Sequence, residues 1–131
     1  MPDNVLLRKA QIIERCIQRV TEVYAGDERN LCEDFTKQDS ILLNLERACQ
    51  AAIDAANRMV RLRGLGKDVF SILKTGGIIS AELADALIAM VGFRNVAVHD
   101  YRELKLEIVR AIIDGKLEDL RSFAKVAVSF S

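Results

Sequence analysis

The sequence predicts an all-α bundle of about four to five helices, and three observations carry that prediction. Half of the 131 residues are apolar, but the set is built from Ala, Leu, Ile and Val with five Phe, two Tyr and no Trp. The apolar positions recur at helical spacing and no stretch alternates in the way a half-buried strand would. Only one proline occurs, Pro2, so nothing after it forbids long helices. At this length one hydrophobic core fits and two do not, so residues 1–131 are expected to form a single domain.

Taken in order, the first helix is expected over Asn4–Tyr24, where Val5, Ile12, Ile13, Cys16, Ile17, Val20 and Tyr24 fall on one stripe. Arg8, Lys9, Arg15 and Arg19 lie largely outside that stripe. Residues 26–30 read as a polar turn. A second and longest helix should begin near Thr36 or Lys37 and run to about Arg63, where Gly64 and Gly66 stop it. Ala48, Ala51, Ala52, Ala55 and Ala56 give it a face that another backbone can approach closely. Its other face collects Arg47, Gln50, Asp54, Asn57, Arg58 and Arg61, which is ordinarily a solvated stripe and otherwise the lining of a cleft or a subunit interface.

A short amphipathic helix is expected over residues 67–74, closed by Gly76 and Gly77. Ser80 then caps a helix starting at Ala81, with Glu82 in its first turn and Leu83, Leu87, Met90 and Val91 on its buried side. The last helix starts around Leu104 to Leu106 and packs through Ile108, Val109, Ile112, Ile113, Leu117, Leu120 and Phe123. Gly115 lies within it, at a cost of about 1 kcal/mol relative to alanine.

Nineteen basic residues balance nineteen acidic ones, and no polybasic tail announces a nucleic-acid partner. Charge is nonetheless clustered locally: Arg58, Arg61, Arg63 and Lys67 follow one another with no carboxylate between Ala55 and Lys67. Cations near a helix C-terminus complement its dipole, which is the bland account of that run. Cys16, Cys32 and Cys49 are odd in number and form no CxxC pair, so they read as reduced core thiols rather than a disulfide framework or a zinc site. No metal and no cofactor are expected. The N-terminus has neither a signal-peptide pattern nor an apolar run that would span a bilayer, and the cytoplasm is the expected location.

The chemistry is concentrated between Arg94 and Tyr101. That segment holds Arg94, Asn95, His99, Asp100 and Tyr101, and His99 is the only histidine of the chain. A lone histidine is more often structural than catalytic, but here it stands beside a forked permanent cation and a phenolic hydroxyl. Arginine suits a phosphate, imidazole exchanges protons near neutral pH, and tyrosine can donate, accept or be modified. At about 100° per residue Arg94 and Tyr101 share one face of a continuous helix, whereas His99 lies roughly 140° from Arg94. Either the helix ends or distorts near His99, or a second subunit completes the site across a two-fold axis.

The run Arg94-Asn-Val-Ala-Val-His99-Asp-Tyr101 matches an Arg, four residues, His, one residue, Tyr signature and resembles the HepT toxins of the HEPN superfamily. Chain length, helix order, the stretch Asp34 to Ser40 and the Leu-Asn-Leu-Glu-Arg run from Leu43 to Arg47 are similar to that family as well. The resemblance implies a HEPN-type helical bundle forming a two-fold symmetric dimer that cleaves RNA without a metal, with Arg94 and His99 catalytic. It further implies a MntA-like nucleotidyltransferase antitoxin as partner, which transfers AMP onto Tyr101. Transfer RNA is a substrate attributed to family members, and nothing in the residues selects it.

The physical reading agrees. Cleavage without a metal needs the 2′-hydroxyl deprotonated, the leaving oxygen protonated and the phosphorane charge stabilised. One histidine per chain cannot be base and acid at once, and a symmetric dimer supplies two. Asp100 or Asp54 are candidates for orienting the imidazole. Two other classes fit the same residues: a nucleotide-binding regulatory module in which Arg94 grips a phosphate and no bond breaks, and a dimerisation bundle in which Arg94 and His99 satisfy an interface.

Overall fold

In the computed structural model the described residues are 3–62, 69–99 and 106–130; of residue 69 and residues 95–99 only the backbone is described. Among them are seven helices and no strand: α1 (Asn4–Tyr24), α2 (Arg29–Cys32), α3 (Phe35–Leu62), α4 (Val69–Thr75), α5 (Ala81–His99), α6 (Leu106–Gly115) and α7 (Leu117–Phe130).

Asp3 starts α1 by accepting the Leu6 N–H at 3.0 Å, and Ala25 ends it in the left-handed region with φ 51°, returning its N–H to the Thr21 carbonyl. The buried stripe is Leu6, Ala10, Ile13, Cys16, Ile17, Val20 and Tyr24. Val5 is half-exposed and Ile12 only partly buried, so the stripe is centred differently from the expectation. The reason is that α1 is wedged between α3 and α7, and Leu6 and Ala10 point into that wedge. The expected turn after α1 contains one turn of helix, α2, pinned to the core by Leu31 alone. Asp27 accepts the Arg29 N–H at 3.0 Å and the Arg29 guanidinium at 2.9 Å at its start.

The long helix α3 begins one residue earlier than the sequence suggests, because the Asp34 carboxylate accepts the Lys37 N–H. It lies antiparallel to α1: Lys9 reaches Asp54 at 3.1 Å and Arg58 reaches Asp3 at 2.9 Å. The alanine face is fully used, with Ala48, Ala51, Ala52, Ala55 and Ala56 all buried. Leu42, Leu45 and Met59 join Phe123, Leu120 and Leu87 in the centre of the core. Phe70 of α4 meets Phe123 of α7 edge to face, with ring centres 5.9 Å apart.

Three further expectations are corrected. The last helix is two helices, since Gly115 ends α6 and the chain restarts at Leu117 instead of carrying glycine through a helix interior. Ile108 is half-exposed and Ile113 partly buried, so neither is central to the packing. Cys32 is exposed at the end of α2, whereas Cys16 and Cys49 are buried thiols as expected. Helix α5 begins where expected, Ser80 accepting the Leu83 N–H at 3.1 Å, and buries Leu83, Leu87, Met90 and Phe93. No helix among the described residues is long and apolar enough to cross a membrane.

Candidate functional site

Helix α5 carries Arg94, Asn95 and His99 on one continuous α-helical backbone. His99 lies five positions after Arg94, which puts their backbone positions roughly 140° apart around the axis and about 7.5 Å apart along it. The side chains of Asn95 and His99 are not described, and Asp100 and Tyr101 lie outside the described residues.

Arg94 is half-buried against α3. Its Nε is fully enclosed and has no hydrogen-bond partner among the described residues. Its charge is felt at Cys49 in the middle of α3: burial pushes that thiol up to about 12, while Arg94 pulls in the opposite direction. Cys49 therefore stays a protonated, inert core thiol at neutral pH. A guanidinium with one wall of buried apolar side chains and no carboxylate on it among the described residues is poised to take an anion.

The next residue of α3, Gln50, donates from Nε2 to Asp54 Oδ1 at 2.8 Å, and its own Oε1 is enclosed without a partner among the described residues. Asp54 Oδ2 in turn accepts Lys9 Nζ at 3.1 Å. Both Asp54 oxygens are thus engaged by α1 and α3, so the carboxylate acts as a clamp between those helices. Arg58 is likewise committed, to Asp3. That pair holds the Asp3 carboxyl below its usual value of 3.8, first through the Arg58 hydrogen bond and then through the Leu6 N–H. The cation run read from sequence thus includes one residue that ties two helices together, and Arg61 beside it is exposed; Arg63 and Lys67 lie outside the described residues.

Tyr24, the other tyrosine, is buried on the core stripe of α1, and burial raises its hydroxyl pKa above the usual 10, with Asp114 adding to the shift. Among the described residues no three His, Cys, Asp or Glu side chains gather in a metal-binding group. Sequence reasoning did not find Lys9 or the role of Gln50, both of which depend on the register of α1 against α3. The only available signal was that Lys9 falls outside the apolar stripe while Gln50 falls on the polar one.

Comparison with known proteins is consistent across three scales. A family model described as Ribonuclease HepT-like matches residues 13–127. The chain is 43% identical over 129 residues to the mRNA nuclease HepT of Shewanella oneidensis, covering 95% of this chain and 96% of that protein. The structure superimposes with a TM-score of 0.88 on a tri-AMPylated Shewanella oneidensis HEPN toxin in complex with MNT antitoxin, at 43% identity and over 95% of this chain and 96% of the other. A toxin-antitoxin crystal structure with AMP-PNP gives 0.89 at the same identity, covering 95% and 97%.

Proposed function

The chain belongs to the HepT-like ribonuclease family, and from that premise we propose that it is a metal-independent endoribonuclease toxin, silenced when a MntA-like nucleotidyltransferase antitoxin attaches AMP to Tyr101. The observation in this molecule that best supports the reading is Arg94, a cation set into the core edge on the motif helix with no acidic partner among the described residues.

In this reading Arg94 binds the non-bridging oxygens of the scissile phosphate and stabilises the charge of the phosphorane. His99 handles protons: one imidazole takes the proton of the 2′-hydroxyl as that oxygen attacks phosphorus, and a second protonates the departing 5′-oxygen. The products are a 2′,3′-cyclic phosphate and a 5′-hydroxyl. Two imidazoles require two chains. Helix α5 supports that requirement, because it is apolar nearly all the way round and leaves Ile88, Ala89 and Gly92 exposed. Two such faces meeting across a two-fold axis would bury them and bring both motif segments together.

Control is placed at Tyr101, whose hydroxyl attacks the α-phosphorus of ATP and releases pyrophosphate. The added phosphate pairs with Arg94, occupies the position an RNA phosphate needs and repels incoming RNA. Buried Tyr24, with its hydroxyl held protonated, is a poor acceptor.

The test uses purified dimer, messenger and transfer RNA substrates, and the antitoxin with ATP. His99→Ala and Arg94→Ala are each expected to lower cleavage by on the order of 10²-fold or more with melting unchanged, EDTA to have no effect, and whole AMP increments in intact mass to vanish in Tyr101→Phe. Cleavage that survives His99→Ala or disappears with EDTA would overturn the chemistry; increments persisting in Tyr101→Phe would overturn the control.

A further inference from the structure

We propose that the seam between α1 and α3 is a binding groove for the RNA phosphodiester backbone, with Arg15, Arg19 and Arg47 as its phosphate-binding residues; this rests on the ribonuclease reading above. The groove encloses about 710 Å³ and is lined by those three arginines together with Glu22, Ser40 and Asn44, over a floor that includes Ile12 and Cys16.

The charge distribution singles it out. Elsewhere among the described residues many of the cations sit in ion pairs, Lys9 with Asp54, Arg29 with Asp27, Arg58 with Asp3, Arg110 with Glu28 and Arg121 with Glu14 and Glu118, while Arg8, Lys37, Arg61, Lys74 and Lys125 are exposed outside any ion pair. Within the groove three guanidiniums face one carboxylate. Arg15 and Arg47 have no acidic partner among the described residues, and Arg19 reaches Glu22 only at 3.6 Å with both side chains more than half exposed. An ion pair of that kind is worth little and is easily exchanged for a phosphate. Gln18 also donates to Glu22, which holds that carboxylate at the rim.

The arginines converge instead of merely sharing a surface. Arg47 from α3 and Arg15 from α1 both act on the Cys16 thiol between them, opposing the upward push of its burial. Three like charges on one apolar-floored groove repel one another unless an extended polyanion lies across them, and planar guanidiniums suit phosphate oxygens. The groove also has the right place. Arg47 is one helical turn from Gln50 on α3, the helix against which the Arg94-bearing α5 packs, so a strand whose scissile phosphate meets Arg94 can continue along α3 over Arg47 toward Arg19. Arg94 acts on the reacting phosphate; the groove binds phosphates that do not react.

Contacts to non-reacting phosphates hold substrate and transition state alike, so their loss raises KM and spares kcat. The experiment removes the three charges together, Arg15→Gln, Arg19→Gln and Arg47→Gln, first in a His99→Ala background. Binding of a single-stranded RNA oligonucleotide is followed by fluorescence anisotropy from low to high salt, with Lys125→Gln on α7 as a single-charge control. Each lost phosphate contact reduces the slope of log K against log salt by about 0.7, so the triple variant should lose about 2 from the slope. In the active background KM should rise by about tenfold or more. Should the triple variant fold poorly, Arg15→Gln and Arg47→Gln singly should each lose about 0.7.

An unchanged slope and KM in a protein that still binds and cleaves RNA would overturn the groove and leave the ribonuclease reading standing. Loss of antitoxin binding or of the dimer, with RNA affinity intact, would overturn it as well and reassign the face. If the parent protein neither binds nor cleaves RNA, the ribonuclease reading falls and the groove with it.

Discussion

Helices α1 and α3 form an amphipathic pair whose polar faces are stitched together, Lys9 to Asp54 and Arg58 to Asp3, over a shared core. Helix α5 is the opposite kind of element. It is apolar around its circumference, exposes Ile88, Ala89 and Gly92, and carries one guanidinium whose enclosed Nε has no partner among the described residues. Among the described residues the first region pairs its charges within one chain, whereas the second leaves an apolar face and a guanidinium nitrogen without a partner. In the reading proposed above, chemistry and assembly fall to α5 and stability to the α1–α3 pair.

That contrast is sharpest at Ile88, which is 47% exposed on the open face of α5, one turn from Asp85. Ile88→Asp would place like charges three residues apart, and in a symmetric dimer would set each pair against its copy. Light scattering should then report a monomer, and RNA cleavage should fall by on the order of 10²-fold, because a single chain cannot supply two imidazoles. The melting temperature of the monomer should change little, since an exposed side chain contributes little to the core. A dimer that persists with full activity would mean that the open face of α5 is not the interface.

How much of this was legible in the sequence depends on the range of the interactions. The bounds of α1, the start of α5 at Ser80 and the buried alanine face of α3 follow from periodicity and caps, which are local. What required tertiary register was not legible. The shift of the α1 stripe from Val5 and Ile12 to Leu6 and Ala10 is dictated by α7, and α2 is a four-residue helix with a single apolar anchor, Leu31. Residue type places Cys32 in the core, whereas the fold leaves it exposed at the end of α2. At the site, Arg94 is legible from the motif, but its lack of an acidic partner among the described residues and the gathering of Arg15, Arg19 and Arg47 depend on which helices lie side by side.

The self-contained region should fail differently. Leu45 is fully buried on α3, and Leu45→Ala removes its side chain from the centre of the core. The expected cost is about 2–5 kcal/mol in chemical denaturation, with the surviving folded protein still dimeric and still cleaving RNA. If Leu45→Ala dissolves the dimer at concentrations where the protein remains folded, the separation between a stabilising pair and an assembling helix does not hold.

The smallest effect expected is at the end of the same seam, where Asp3 both caps α1 and pairs with Arg58. Its folded-state carboxyl sits below the usual 3.8, chiefly because of the Arg58 hydrogen bond. A depressed folded value means that the unfolded chain binds the proton more readily, so the contribution is full above the unfolded value and is lost as pH falls through the folded one. Asp3→Asn keeps an oxygen able to accept the Leu6 N–H, because asparagine caps helices about as well as aspartate, and removes the charge together with the second oxygen, which accepts from Arg58. The variant should therefore be slightly less stable than the parent near neutral pH, and the difference should shrink below about pH 4 and disappear once the parent carboxyl is protonated. RNA cleavage should not respond at any pH where the protein is folded, because Asp3 serves the seam and not α5. A stability difference that is constant between neutral and acid pH would show that the Asp3 charge contributes nothing and that the cap alone holds this end of α1 to α3.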